Sequence, residues 1–155
     1  MSYNLLFVCT GNTCRSPMAE ALARDAIRAR GWSGVEVGSA GVAAMDGAPA
    51  SPEVPEVLAE EGVPIGEHQA RMLSRELVDW ADAVFVMGPS HRAGVEELGG
   101  EHKVALVTHY LPGEEADRPV MDPIGAGVQV YRETRDQLRR AIDALLDRIE
   151  PVVAP

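Results

Sequence analysis

The chain has 155 residues, enough for one well-covered core and too few for two, so residues 1–155 are predicted to form a single domain. The formal net charge of -10 argues against nucleic acid or an anionic membrane as a partner, because most of the surface would repel either one. The apolar run near the N-terminus spans only about five residues and follows no basic region, which argues against a signal peptide or a membrane span. A cytoplasmic location is therefore the expectation.

Four short apolar runs rich in β-branched residues predict buried strands at residues 4–8, 35–38, 83–87 and 104–108. After the first strand, Ser16 is predicted to cap a helix with Pro17 in its first turn, and Gly31 is predicted to end it. Strands that alternate with helical patterns are typical of a parallel sheet with right-handed crossovers. We therefore expect an α/β fold.

Further helices are predicted at about residues 52–62, 74–80 and 89–98. In the last helix, apolar residues recur at helical spacing from Tyr131 to Ile149, and Pro151 is expected to end it. The least regular segments are residues 41–51 and 110–127. Loops at the carboxyl ends of strands build the sites of open parallel sheets, so we expect functional residues in such segments.

The first strand runs into "CTGNTCRS" at residues 9–16, where Cys9 and Arg15 have the spacing C-x5-R-S. A short loop at a helix N-terminus turns several backbone N–H groups inward, next to the positive end of the helix dipole. Arg15 adds a planar guanidinium that can bind two phosphate oxygens, and the same positive field favours the nucleophilic thiolate of Cys9. The predicted phosphate-binding loop comprises Thr10, Gly11, Asn12, Thr13, Cys14, Arg15 and Ser16.

Plainer interpretations of these residues are available. Cys9 could be a small buried residue at a strand end, Arg15 a surface cation and Ser16 a simple cap. Cys14 is either a buried small hydrophobe or a redox partner of Cys9.

No metal or other cofactor is expected. Two cysteines cannot build a disulfide framework or a zinc site of the four-ligand pattern. The four histidines show neither metal-ligand spacing nor local pairing with Cys9, and we assign no role to them: they are His68, His91, His102 and His109.

A thiolate that attacks phosphorus needs an acid for the leaving group, and Asp122 in "VMDPIGAG" is the candidate. Its carboxyl group lies on a loop that Pro123 stiffens and glycines follow, so it can be held over a pocket. Asp-Pro on its own is more often merely a turn.

These features together resemble the low-molecular-weight protein tyrosine phosphatase family. The resemblance covers essentially the whole chain: the loop at residues 9–16, "SAG" at residues 39–41, "ADAVFVM" at residues 81–87, and Asp122-Pro123. It implies a three-layer fold in which helices flank a four-stranded parallel sheet. It also implies metal-free hydrolysis of a phosphorylated protein substrate.

The resemblance implies roles for the matching residues. Cys9 would attack phosphorus to give a cysteinyl-phosphate while Arg15 and the loop amides hold the equatorial oxygens. Asp122 would protonate the leaving group and then activate water.

The remaining matches imply support and regulation of the nucleophile. Ser16 would hydrogen-bond the thiolate, and Asn12 would hold the loop in shape through a tie to Ser39. Cys14 would form a reversible disulfide with Cys9 under oxidation.

The chain departs from the tyrosine-directed pattern of that family. Tyrosine-selective members usually have a bulky aliphatic residue where Thr13 stands, and aromatic residues where Ile124 and Gly125 stand. Ile and Gly cannot supply the stacking that aromatic walls give a phenyl ring. "CTGNTCRSPMAE", "DPIGAG" and "YRETRDQL" instead resemble the protein arginine phosphatase branch, where the loop threonine is associated with phosphoarginine preference and the position of Ile124 is often aromatic. We expect phosphoarginine to be favoured, with phosphotyrosine as the alternative.

Two other classes share some of these features. Thioredoxin-coupled arsenate reductases resemble the family but relay oxidation through additional distant cysteines, and this chain has none beyond Cys14. A redox sensor or phosphate-binding module needs no acid, and the carboxylate of Asp122 would repel a bound anion. A cysteine-dependent protein phosphatase is therefore the prediction, and the sequence leaves the oligomeric state open.

Overall fold

A computed structural model describes residues 2–154 of the chain. Within that range, four strands and five α-helices follow one another as β1 (Tyr3–Cys9), α1 (Arg15–Ala29), β2 (Val35–Gly41), α2 (Glu53–Ala59), α3 (Arg75–Trp80), β3 (Ala83–Val86), α4 (Pro89–Glu97), β4 (Val104–Leu106) and α5 (Val128–Val153). All neighbouring strands are parallel, in the order β2-β1-β3-β4. The predicted α/β fold with a four-stranded parallel sheet is confirmed.

The sheet lies between two apolar layers, because successive side chains of a strand point to opposite faces. On β1, Leu5 and Phe7 pack in the layer that contains α1, α2 and α5. Leu6 and Val8 pack in the other layer, with α3 and α4. All four side chains are fully buried, so the continuous apolar run of β1 reflects burial on both faces.

β2 is longer than predicted and continues past Gly38 to Gly41. Residues 39–41 pair in register with residues 7–9 of β1. Their sequence, Ser-Ala-Gly, has no β-branched or aromatic side chain, so local propensity gives no signal for this part of the strand. The pairing places Ser39 beside the start of the predicted phosphate loop.

The predicted cap of α1 is wrong, although its end is confirmed. The helix begins at Arg15, with Cys14 in the N-cap position, so Ser16 lies inside the first turn. The hydroxyl group of Ser16 is fully buried and accepts a hydrogen bond from Asn12 Nδ2 in the loop, not from a backbone N–H group of the helix. Gly31 follows the last turn with a φ of 70°, a conformation that favours glycine and stops a helix.

The predicted end of the last helix is also wrong. α5 continues through Pro151 to Val153, and the N–H of Ala154 still donates to the carbonyl of Glu150 at 2.8 Å. Proline fits a helical φ, and the hydrogen bond it removes falls in an exposed final turn where water can replace it.

Candidate active site

The predicted phosphate loop lies at the carboxyl end of β1 and leads into the first turn of α1. Its carbonyl groups point away and accept backbone hydrogen bonds: Cys9 from Val42 at 3.0 Å, Thr10 from Ala43 at 2.9 Å and Thr13 from Ser51 at 2.9 Å. The N–H groups of residues 10–15 make no hydrogen bond to any other group within residues 2–154. Backbone donors without partners are uncommon in proteins, and a concave set of them binds anions. The loop thus has the donors that a phosphate group requires.

Cys9 is the last residue of β1. The residue is only 2% exposed, but it borders a small cavity that is also lined by Thr10, Gly11 and Arg15. Ser16 Oγ lies 2.9 Å from Cys9 Sγ, which is the contact that the resemblance implies. A hydroxyl group can donate to a thiolate and so stabilise the nucleophilic form.

Asn12 ties the loop to the sheet. It is fully buried and has a φ of 57°, a left-handed conformation that is uncommon for residues other than glycine. Its Nδ2 donates to Ser16 Oγ at 2.8 Å and to Ser39 Oγ at 3.0 Å, while its Oδ1 accepts from the N–H of Arg71 at 3.0 Å. Because Ser16 Oγ accepts from Asn12, its own hydrogen has two possible acceptors: Cys9 Sγ at 2.9 Å and the carbonyl oxygen of Ala40 at 3.4 Å. When Cys9 is a thiolate, the nearer and charged sulfur is the stronger acceptor.

Arg15 is held against the loop from two directions. The residue is 7% exposed, and its Nη1 donates to the carbonyl of Val120 at 3.1 Å. Its Nη2 donates to Thr10 Oγ1 at 3.4 Å and lies 3.5 Å from Asp122 Oδ2. The guanidinium is therefore fixed between the loop and the segment that carries Asp122.

Asp122 lies at the rim of the site, in the irregular segment predicted to hold functional residues. The N–H of Val120 donates to the carbonyl of Met87 at 2.9 Å, which anchors the segment to the end of β3. Asp122 Oδ1 accepts from the N–H of Ile124 at 3.1 Å, and the side chain remains 43% exposed. The carboxyl group is thus positioned by the backbone but still accessible to a substrate and to water.

A cavity of about 140 Å³ brings these groups together. Its lining residues are Cys9, Thr10, Gly11, Thr13, Cys14, Arg15, Asp122 and Ile124. Asn12, Ser16 and Ser39 are absent from this set because they lie behind the loop and support it. A larger cavity of about 940 Å³ lies beside β2, and none of the predicted site residues lines it.

Cys14 has a different environment from Cys9. It is buried beneath the loop, with its sulfur 3.0 Å from Ser51 Oγ and 3.5 Å from Tyr131 Oη. Burial, followed by the hydrogen bond with Cys14, raises the pKa of Tyr131 to about 12. Both cysteines are free thiols in this structure, and a disulfide between them stays a prediction.

The sequence interpretation missed two histidines that contact the loop. His68 Nε2 lies 2.7 Å from the carbonyl oxygen of Asn12, and His91 Nε2 lies 2.8 Å from Thr10 Oγ1. From the sequence they were assigned no role, and nothing in it indicated these contacts. Each is far from the loop in sequence, by 56 and 81 residues, so local spacing carried no signal for either one.

The described part of the chain, residues 2–154, contains no group of three or more His, Cys, Asp or Glu side chains that could hold a metal ion. In the same range, no helix is both long enough and apolar enough to cross a membrane.

The sequence matches the family described as low molecular weight phosphotyrosine protein phosphatase over residues 4–153. A protein-arginine-phosphatase from Geobacillus stearothermophilus is 40% identical over 152 residues, which cover 97% of this chain and 98% of the relative. A probable low molecular weight protein-tyrosine-phosphatase, EpsP from Ralstonia solanacearum, is 36% identical over 149 residues, which cover 96% of this chain and 97% of the relative.

Among solved structures, a Cys-to-Ser mutant of the YwlE arginine phosphatase with a phosphorylated active-site serine has a TM-score of 0.87 and 34% identity. The similarity covers 95% of each chain. This chain and its relatives are therefore similar both in fold and in sequence over nearly the full length. The chain belongs to the low molecular weight phosphotyrosine protein phosphatase family.

Proposed function

We propose that this protein removes phosphate from phosphorylated protein side chains and prefers phosphoarginine to phosphotyrosine. Family membership makes it a cysteine-dependent protein phosphatase that needs no metal. The preference is supported chiefly by the cavity lining. Thr13 lines the same small cavity as Cys9 and Asp122, and no aromatic side chain among residues 2–154 lines it.

The arrangement supports hydrolysis in two steps. Cys9 Sγ attacks phosphorus, an S–P bond forms as the P–N bond of phosphoarginine breaks, and Asp122 donates a proton to the departing guanidine nitrogen. The Asp122 carboxylate then takes a proton from a water molecule whose oxygen attacks phosphorus. The S–P bond breaks, which returns the Cys9 thiolate and releases inorganic phosphate. Arg15 and the loop N–H groups hold the phosphoryl oxygens throughout.

The leaving group decides the substrate preference in this proposal. Phosphoarginine presents a planar, donor-rich guanidinium, from which the unprotonated oxygen of the Asp122 carboxyl group can accept a hydrogen bond while the other oxygen carries the proton. Thr13 is polar and shorter than the aliphatic residues of tyrosine-directed members, which leaves room near phosphorus. Ile124 is 62% exposed and offers a phenyl ring no stacking partner. The relative from Geobacillus stearothermophilus carries the name protein-arginine-phosphatase, which agrees with this preference.

Thr13→Ile is expected to shift the substrate preference toward phosphotyrosine. For the unmodified protein, kcat/KM should be higher for a phosphoarginine peptide than for a phosphotyrosine peptide of the same sequence. The substitution should change the ratio of the two values by about tenfold or more, because Ile removes polarity and adds volume near phosphorus. Side-by-side kinetics on the two peptides give the ratio.

Thr13→Val is the matched control, since it keeps the branched shape and removes only the hydroxyl group. A ratio unmoved by Thr13→Ile would refute the role of Thr13. A tenfold or greater preference of the unmodified protein for phosphotyrosine would refute the phosphoarginine assignment and leave a protein tyrosine phosphatase.

Gly41→Ala is expected to displace the predicted phosphate loop and to lower the catalytic rate. An added Cβ would lie 2.9 Å from the backbone nitrogen of Asn12 and would also collide with the carbonyl oxygen of Thr10. Because both neighbours are backbone atoms, relief requires the loop to move, and a small displacement of a catalytic loop costs about tenfold to a hundredfold in rate. Steady-state kinetics and thermal denaturation measure the effect.

Gly127→Ala serves as the control for Gly41→Ala. No atom lies within 4 Å of the Cβ position at Gly127, and its φ is -75°, so a side chain fits there. Equal losses of kcat/KM in the two variants would show that Gly41 has no special relation to the loop.

We also propose that the enzyme acts on phosphorylated proteins in the cytoplasm. A reducing compartment keeps thiols such as Cys9 in the reduced form that nucleophilic attack requires. Fractionation of cells that produce the tagged protein tests the location.

A further inference from the structure

The side chain of Thr10 has a hydrogen-bonding environment that the proposed mechanism does not use. Thr10 follows Cys9 directly, is exposed, and lines the 140 Å³ cavity. Its Oγ1 lies 2.8 Å from His91 Nε2 and 3.4 Å from Arg15 Nη2. A hydroxyl group has one hydrogen to donate and two lone pairs that accept, so the directions of these two contacts decide where the hydrogen points.

The contact with Arg15 has a known direction, because a guanidinium can only donate. It occupies one lone pair of Thr10 Oγ1. The contact with His91 depends on which ring nitrogen carries the proton. If the proton were on Nδ1, then Nε2 would accept and the Thr10 hydrogen would point to His91. If the proton is on Nε2, His91 donates and the second lone pair of Thr10 is occupied.

The burial of His91 decides between these two tautomers. The residue is 3% exposed, and its Nδ1 has no hydrogen-bond partner within residues 2–154. A buried N–H group without a partner is rarer in proteins than a buried acceptor without one. We therefore assign the neutral tautomer in which Nδ1 is unprotonated and Nε2–H donates to Thr10.

Protonation would not reverse this direction. Two charged groups face His91, Arg15 and Asp122, and they act on its pKa in opposite senses. Burial and then the charge of Arg15 lower the pKa of His91 to about 4, with Asp122 opposing them. The ring is therefore neutral near pH 7, and in the imidazolium form Nε2 would still be a donor.

We propose that Thr10 Oγ1 donates a hydrogen bond to an oxygen of the bound phosphoryl group, and that His91 is the positioning residue that keeps this hydroxyl group a donor. Arg15 and His91 occupy both lone pairs of Thr10 Oγ1, so this hydroxyl group can make a further hydrogen bond only as a donor. Thr10 lines the cavity, where a bound phosphoryl oxygen would be the acceptor. The proposal rests on the phosphate site of the proposed function, and it adds a side-chain donor to the loop amides and Arg15.

Orthovanadate inhibition of the reduced, full-length protein tests the donor. Thr10→Val keeps the branched shape and removes the hydroxyl, and it should raise the inhibition constant about tenfold, as expected for losing one hydrogen bond to a charged group. Thr10→Ser restores the hydroxyl and should recover most of that loss. If Thr10→Val binds orthovanadate as tightly as the unmodified protein, the donor role is overturned. If the unmodified protein itself fails to bind orthovanadate, the proposed function fails instead.

Two substitutions at His91 test the positioning role. Gln places an amide Nε2–H near the position of the imidazole Nε2, whereas Asn is too short to reach it, so His91→Gln should retain more orthovanadate affinity than His91→Asn. Ser90→Ala, at the exposed neighbouring residue, should leave the affinity unchanged. Equal losses in the Gln and Asn variants would contradict the role of Nε2.

Nitrogen-15 NMR of the labelled histidines gives a readout that is independent of activity and of variant folding. The chemical shifts of His91 should identify Nε2 as protonated and Nδ1 as unprotonated. The opposite assignment would overturn the proposal, because Thr10 would then donate to His91.

Discussion

Replacing Cys9 with serine is expected to abolish catalytic turnover, with kcat/KM falling by a factor on the order of 10⁴ or more. The nucleophile must be ionised to attack phosphorus, and a positive loop can stabilise a thiolate near neutral pH but not the far more basic alkoxide of serine. Steady-state kinetics with a phosphoarginine peptide measure the loss.

Cys14→Ala is the matched control for this prediction. Cys14 is also a buried loop cysteine, but its sulfur contacts Ser51 and Tyr131 beneath the loop. Its loss should therefore reduce turnover far less than the loss of Cys9. If Cys9→Ser retained turnover comparable to that of Cys14→Ala, the assignment of the nucleophile would be wrong.

Asp122→Asn is expected to lower kcat by a factor of about 10² to 10⁴, the usual range for loss of a general acid and base. Asparagine keeps the shape and can still accept from the N–H of Ile124 but cannot transfer a proton. Binding of orthovanadate should be retained or improved, because a carboxylate 3.5 Å from Arg15 Nη2 competes with the anion for the guanidinium. The kcat values and orthovanadate inhibition constants separate the two effects.

Asp117→Asn is the control for Asp122→Asn. Asp117 lies in the same irregular segment and is exposed, but its Oδ1 bonds His109 Nδ1 at 2.8 Å and it does not line the cavity. Similar kcat values for the two variants would remove Asp122 from the mechanism.

The position of the first loop and its arrangement between β1 and α1 could be predicted because its signals are local. An apolar strand, the C-x5-R-S spacing and a helix start follow one another within residues 4–17. Asp122 was a weaker candidate on the residues alone, since Asp-Pro is often an ordinary turn, and the resemblance strengthened it. Its distance of 3.5 Å from Arg15 depends on the anchoring of Val120 to the end of β3.

Other features could not be predicted because they depend on sheet pairing. The extension of β2 through residues 39–41 arises from register with β1 and not from local propensity. His91 reaches Thr10 only because β3, which precedes it, lies beside β1 in the sheet. Tertiary contacts also explain the wrong helix cap predicted at Ser16. A serine after a strand is typical of a helix cap, but the hydroxyl group of Ser16 contacts Asn12 Nδ2 and Cys9 Sγ instead of a helix N–H group.

The amino-acid sequence was enough to identify the α/β fold and to predict a phosphate-binding loop with a nucleophilic cysteine. Hydrophobic periodicity and short-range backbone geometry determine these features, and both are properties of neighbouring residues. The folded chain was needed to establish which N–H groups of the loop have no partner and which histidines contact it. Such hydrogen bonds join residues distant in sequence, so they exist only once the strands have paired.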